Sequence, residues 1–258
     1  MNEIEKYYNK FNEDKRLLTR HGQVEFFVTT NYINKYLKKL KKPKILDVGA
    51  GTGRYSIYLN DLGYDVTAVE LVKHNLKVLE EKNKNIKAIL ANATNLKKIE
   101  DNSFDVVLLF GPLYHLFSLE DKIKAIEEAK RVVKNNGLIF IQYVMNDYAV
   151  LVHGFREQTI LNDLEKNRID KNFKIKDDIQ NLYSFYRIED INKLNKLTNL
   201  KRIKIIGVDG ATDYFRKDIN KLTISEFELF KKYQLSICER KELMGASSHI
   251  LDILRVKK

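Results

Sequence analysis

Between residues 44 and 144 the chain alternates short apolar runs with longer stretches in which apolar residues recur every three or four positions. KILDVG (44 to 49) is an apolar run ending in glycine, and the helically spaced stretch from Arg54 to Leu62 is closed by Gly63, a residue suited to the left-handed end of a helix. The unit then repeats. DVTAVE (65 to 70) predicts a second strand, Val72 to Lys82 a helix, IKAILA (86 to 91) a third strand and FDVVLLF (104 to 110) a fourth. Leu119 to Lys134 continues as a helix that Asn135, Asn136 and Gly137 are expected to end. LIFIQYV (138 to 144) is a fifth strand, too uniformly hydrophobic to have a wet face. Buried strands joined by helical crossovers predict a parallel, doubly wound α/β sheet.

Beyond Met145 the rhythm changes. Residues 147 to 180 are polar and partly helical in pattern, and YSFYR (183 to 187), KRIKIIGV (201 to 208) and HILDILRV (249 to 256) alternate as strands, the last two extending the far edge of the sheet. No repeat or low-complexity linker divides the chain, so a single domain over residues 1 to 258 is expected. Its parts would be an N-terminal cap (1 to 40), a ligand-binding core (41 to 145), a lid or substrate insertion (146 to 190) and the C-terminal part of the sheet (191 to 258).

Composition changes this picture little. With 44% hydrophobic and 31% charged residues the chain is ordinary for a globular protein, and no apolar run approaches the length that spans a bilayer. The charged start, MNEIEKYYNKFNEDKR, has no apolar stretch of the signal-peptide kind and Cys238 stands alone, so a cytoplasmic protein without a disulfide is expected. The net charge of +11 would suit nucleic acid, but Lys is spread along the whole chain and interspersed with acids, which reads as a solvated surface.

The candidate chemistry begins at Gly49-Ala50-Gly51-Thr52-Gly53, a glycine turn at the carboxyl end of the first strand, where open α/β sheets bind ligands. A dinucleotide fingerprint would need glycine at position 54, which is Arg54; the spacing here is G-x-G-x-G. Glycines let backbone N–H groups approach a ligand, and the helix start that follows favours a carboxylate. Glu70 closes the second strand 19 positions after Gly51 (70 minus 51), close to the spacing at which an acid meets a ribose diol.

In this order of motifs, ILDVGAGTGRYS, VTAVE, ILANATNL, FDVVLLFGPLYHL and RVVKNNGLIFI, the chain resembles the class I S-adenosylmethionine-dependent methyltransferases over about residues 40 to 145. The resemblance implies a Rossmann-like, mainly parallel seven-stranded sheet with an antiparallel C-terminal edge, a helical N-terminal cap and a lid insertion. It also implies S-adenosylmethionine as cofactor and S-adenosylhomocysteine as product. Asp47 would then support the glycine loop of Gly49, Ala50, Gly51 and Gly53, Glu70 would hold the ribose, and Leu71 would pack on adenine. Asn92 and Ala93 stand where the family often has an acid and a small residue near the adenine amino group, a bond the Asn92 amide oxygen can still accept. Phe110 closes the fourth strand beside the same site. KRLLTRHGQVEFF resembles the cap of small-molecule members, which makes Tyr8, Arg16 and Arg20 candidates to close over the cofactor, with helix packing and a solvated face as the alternative.

The segment after the fourth strand, Phe110-Gly111-Pro112-Leu113-Tyr114-His115-Leu116, informs mainly by exclusion. It lacks the polar head and second proline of amino-methylating DNA enzymes. The only thiol, Cys238, is remote from the strand ends, which disfavours carbon-5 chemistry on pyrimidines. No Asp or Asn lies between Phe110 and Leu119 and the histidines show no ligand spacing, so no metal is expected. His115, with Tyr114 beside it, is the candidate to take a proton from an acceptor hydroxyl or amine; the other reading is a histidine that bonds backbone at a loop-to-helix junction. The aromatics of the insertion, Tyr148, Phe155, Phe173, Tyr183 and Phe185, would either line an acceptor pocket or fill space. Methyl transfer to O or N of a small molecule is therefore the expected activity. An RNA methyltransferase and a non-catalytic S-adenosylmethionine-binding protein are the alternatives; oligomeric state and acceptor are not legible.

Overall fold

The computed structural model describes residues 18 to 178 and 182 to 258. Among them a seven-stranded sheet forms from β1 (Lys44–Val48), β2 (Asp65–Glu70), β3 (Lys87–Leu90), β4 (Phe104–Leu109), β5 (Val133–Val144), β6 (Lys201–Gly207) and β7 (His249–Arg255), in the order β3-β2-β1-β4-β5-β7-β6. Strands β1 to β5 pair in parallel, while β7 runs antiparallel to both β5 and β6. The doubly wound sheet with an antiparallel C-terminal edge is thus as expected.

The apolar runs are continuous because both faces of the sheet are covered. Leu46, Val107, Leu109, Ile139 and Ile141 pack on one side with Ala125, Ile126 and Ala129 of the helix Leu119–Val132, while Ile45, Val106, Leu108, Leu138 and Phe140 pack on the other with Val28, Ile33 and Leu37 of helix α1 (Arg20–Leu37). Successive residues thus enter opposite layers, the period-two consequence of the pleat. α2 (Arg54–Asp61) and α3 (Lys73–Lys82) are the crossovers after β1 and β2. No described helix is long and apolar enough to cross a membrane.

Three expectations are corrected. The helix before β5 ends at Val132, and Asn135, Asn136 and Gly137 lie within the start of β5. Val133 already pairs with Phe104, and the register then shifts while Asn136 takes φ +62°. Residues 183 to 187 form no strand; Tyr186 makes only an isolated parallel bridge with Met145, just past the end of β5. This segment lies instead as a strap over the turn after β4: Ser184 N donates to Tyr114 O at 2.7 Å, the Tyr186 hydroxyl to Leu113 O at 2.6 Å, and Tyr186 N to Val144 O at 2.9 Å. The third strand is also shorter than IKAILA, because only Lys87–Leu90 pairs with β2.

Candidate functional site

The carboxyl ends of β1, β2 and β4 open into a cavity of about 1180 Å³ including its mouth. Asp47, Gly49, Ala50 and Gly51 line it from β1 and its loop, Glu70 and Leu71 from the end of β2. Asn92 and Ala93 close the side beyond β3, and Phe110, Tyr114 and His115 the side beyond β4. Residues expected at both ends of a methyl-transfer site therefore share one cavity. Gly53 is not on its wall; it caps the start of α2 with φ +90°.

The glycine turn is held by backbone. Gly49 N and Ala50 N donate to Val69 O at 2.8 and 3.0 Å, which ties the loop to β2. Gly49, Gly51 and Gly53 all have positive φ, at +80°, +55° and +90°. A Cβ on Gly51 would meet nothing within 4 Å, and Gly51 is one of the residues that line the cavity.

The two acids act on this turn from different sides. Asp47 is fully buried, accepts the Ser56 hydroxyl of α2 at 2.6 Å, and has its carboxyl pushed up to about 6 by burial. Glu70 accepts Gly51 N at 2.8 Å and Val72 N at 2.7 Å, one on each oxygen. Burial raises its carboxyl above the ordinary range while these backbone bonds pull it back. A carboxylate has about four lone-pair directions, so Glu70 can accept ribose hydroxyls as well. That it also braces the glycine loop was not visible in the spacing.

Asn92 lines the cavity and also serves a local turn. Its amide oxygen accepts both N and Oγ1 of Thr94 at 3.0 Å, an exposed local turn at the cavity rim. Less of its acceptor capacity is left for an adenine amino group. Arg20 leaves the site altogether: its guanidinium donates to Ile219 O and Leu222 O at 2.7 and 2.6 Å and lies over the Phe227 ring, away from the cavity wall. Tyr8 and Arg16 lie outside the described residues.

At the acceptor end His115 Nδ1 stands 2.8 Å from Leu182 O, which fixes the tautomer with the proton on Nδ1. Its ring packs at 4.9 Å from Tyr114 and 5.0 Å from Tyr183. Burial pushes the imidazole down to about 4, so it is neutral at pH 7 and a weak base there. This geometry makes His115 an anchor for the 182 to 186 strap. His115→Ala should speed hydrogen exchange at the Ser184 and Tyr186 amides and lower stability by about 1.5 to 3 kcal/mol, one buried hydrogen bond plus aromatic packing. Unchanged exchange at both amides would remove the anchoring role. Of the insertion's aromatics, Tyr183 packs on Tyr114 and His115 of the cavity wall, while Phe155 and Phe173 pair with each other at 6.4 Å.

Several cavity residues were not expected. Tyr55 packs on Phe110 at 5.0 Å, and Arg54 lies over Phe26 at 4.5 Å. Glu25 of α1 and Gln142 of β5 are both buried on the wall, and Gln142 Nε2 donates to Glu25 Oε1 at 2.9 Å. Behind them, ligand-type atoms of Glu25, Asp209 and His249 lie within 4.8 Å of one another, a grouping that the absence of histidine spacing in the sequence had not suggested.

Residues 46 to 141 match the model of a methyltransferase domain. Over 164 residues the chain is 29% identical to the glycine/sarcosine N-methyltransferase of Aphanothece halophytica, covering 60% of this chain and 58% of the relative. Over 99 residues it is 39% identical to the demethylmenaquinone methyltransferase of Paenarthrobacter aurescens, 38% of this chain and 37% of the relative. The chain thus spans little more than half, or less, of the length of these relatives. Among solved structures, a SAM-dependent methyltransferase of Thermotoga maritima superposes with a TM-score of 0.58 at 19% identity, covering 99% of this chain and 98% of that one. This last likeness is one of fold.

Proposed function

We propose, from the premise that the chain belongs to the class I S-adenosylmethionine-dependent methyltransferases through its domain at residues 46 to 141, that it moves a methyl group from S-adenosylmethionine to O or N of a small molecule. The observation that carries this is a single cavity at the strand ends whose wall holds Gly51, with its N–H on the Glu70 carboxylate, together with Phe110 and Tyr114. Both named relatives act, by their names, on small molecules. S-adenosylmethionine supplies, when bound, a methyl group activated on a sulfonium.

The chain's own residues do the rest. The glycine loop and the start of α2 offer N–H groups to the methionine carboxylate. Glu70 accepts the ribose hydroxyls, and Leu71 and Ala93 flank the base. Phe110, Tyr55 and Tyr114 exclude water and align the acceptor, which supplies much of a methyl-transfer rate without a dedicated base. His115 holds the wall rather than taking the proton, in line with its low basicity.

S-adenosylmethionine and S-adenosylhomocysteine should each raise the melting temperature, since a ligand bound only by the folded state stabilises it by mass action. Label from methyl-labelled cofactor should then appear in a component of a metabolite extract. No thermal shift with either ligand at millimolar concentration, with NAD producing one, would overturn the assignment. Thermal stabilisation without any labelled product would favour a cofactor-binding protein without turnover.

A further inference from the structure

A polar side chain shielded from water costs free energy until something hydrogen-bonds to it, so each buried polar group on the cavity wall calls for a partner. Asp47 accepts the Ser56 hydroxyl, Glu70 accepts two backbone N–H groups, and Gln142 donates to Glu25. Asn75 is different. It lines the same cavity and is 4% exposed, yet its amide makes no hydrogen bond to any described residue. It does not cap its own helix, because α3 starts from Val72 without a side-chain cap. One turn further along α3, Leu79 packs with Ala68 and Ile86, so packing alone would favour an apolar residue at position 75 as well.

Its position narrows what the amide meets. Asn75 stands five positions after Glu70 (75 minus 70), in the first turn of α3, and the chain between them is pinned by the bond from Val72 N to Glu70 Oε1. In the cofactor reading above, this junction gives Glu70 to the ribose and Leu71 to the base. The ribose hydroxyls are thus served by a carboxylate, whereas the polar edge of the base is poorly served. Asn92 is exposed at the rim and its oxygen already accepts N and Oγ1 of Thr94. An asparagine amide sets an acceptor beside a donor, and the adenine 6-amino group with its adjoining ring nitrogen is the complementary pair.

We infer that Asn75 recognises the adenine of the cofactor, its oxygen accepting from the 6-amino group and its NH2 donating to the adjoining ring nitrogen, an inference that rests on the methyl-transfer reading above. Asn75 is then a specificity determinant for the base and takes no part in moving the methyl group.

The test is calorimetric titration with three ligands: S-adenosylhomocysteine, its analogue with hydrogen in place of the 6-amino group, and its 2′-deoxy analogue. The wild-type protein should bind the first at least about 10-fold more tightly than the second, because the second leaves the amide oxygen without its donor. Asn75→Leu, which keeps the size and branching of the side chain, and Asn75→Ala should each reduce that preference to within about 3-fold. The preference over the 2′-deoxy analogue belongs to Glu70 and should be the same in both variants as in the wild type, which also certifies the folded site. A 6-amino preference that is missing from the wild type, or that survives in both variants, overturns the inference. Loss of the 2′-deoxy preference in the variants with the 6-amino preference retained also overturns it, by assigning Asn75 to the ribose. Each of these results leaves methyl transfer standing, whereas failure of S-adenosylhomocysteine to bind the wild-type protein overturns both.

Discussion

Replacing Glu70 by alanine should weaken S-adenosylmethionine binding by about 100-fold or more, since each hydrogen bond from a ribose hydroxyl to a charged acceptor is worth about 1.5 to 3 kcal/mol and Glu70 can accept two. A second effect adds to this. The carboxylate oxygens that would face the ribose also accept Gly51 N and Val72 N, so the alanine variant leaves two backbone donors of the binding loop without their partner. Glu70→Gln keeps one acceptor oxygen and should fall between the two proteins. Because burial raises the Glu70 carboxyl, the ionised form is lost on acidification sooner than for an ordinary carboxylate. Cofactor affinity of the wild-type protein should therefore decline as pH falls, starting above the usual carboxylate range, and the alanine variant should lack this part of the pH dependence. Calorimetry giving the same dissociation constant for wild type and Glu70→Ala would reject the role.

The parts of this site that lie close together in sequence were legible there. A strand that ends in three closely spaced glycines, and an acid that ends the next strand, are local patterns whose meaning depends on one parallel pairing, that of β1 with β2. What the sequence hid depends on contacts between remote segments. Glu25 sits in EFFVTTNY as any helical acid would, and it becomes an interior group only because α1 lies across Gln142 of β5 and His249 of β7. The antiparallel insertion of β7 between β5 and β6 is what brings Asp209 and His249 together.

Two misread segments show the same limit from the other direction. YSFYR has the alternation of a strand, yet its polar groups find their partners on the turn at Leu113 and Tyr114 and not along an edge of the sheet. Arg20 has the reach and charge to close over a cofactor, but α1 turns it toward the carbonyls of Ile219 and Leu222. In each case the residue type was compatible with the expected role and the tertiary environment chose another partner.

The glycine loop allows a sharper test, because Gly49 and Gly51 are required for different reasons. A Cβ on Gly49 would lie 2.6 Å from Pro112 Cδ, 2.8 Å from Pro112 Cγ and 3.0 Å from Phe110 O, with φ at +80°. A proline ring and a carbonyl cannot swing aside, so Gly49→Ala combines left-handed strain with overpacking and should cost about 2 to 5 kcal/mol. For a chain of this size that is a fall in melting temperature of about 5 to 15 °C. Gly51 has φ +55°, inside the left-handed well, and no neighbour within 4 Å of an added Cβ. Gly51→Ala should therefore cost only about 1 kcal/mol in the unliganded protein, the left-handed penalty alone. Its methyl group enters the space beside the Glu70 carboxylate, where backbone must approach the ligand, and cofactor binding should weaken by at least about 30-fold through overpacking against the ligand. The first substitution is thus read by melting temperature and the second by cofactor titration of a protein that remains folded. Normal cofactor affinity in Gly51→Ala would mean that the ligand does not pass over this loop, and the assignment of the cavity's cofactor end would have to be given up.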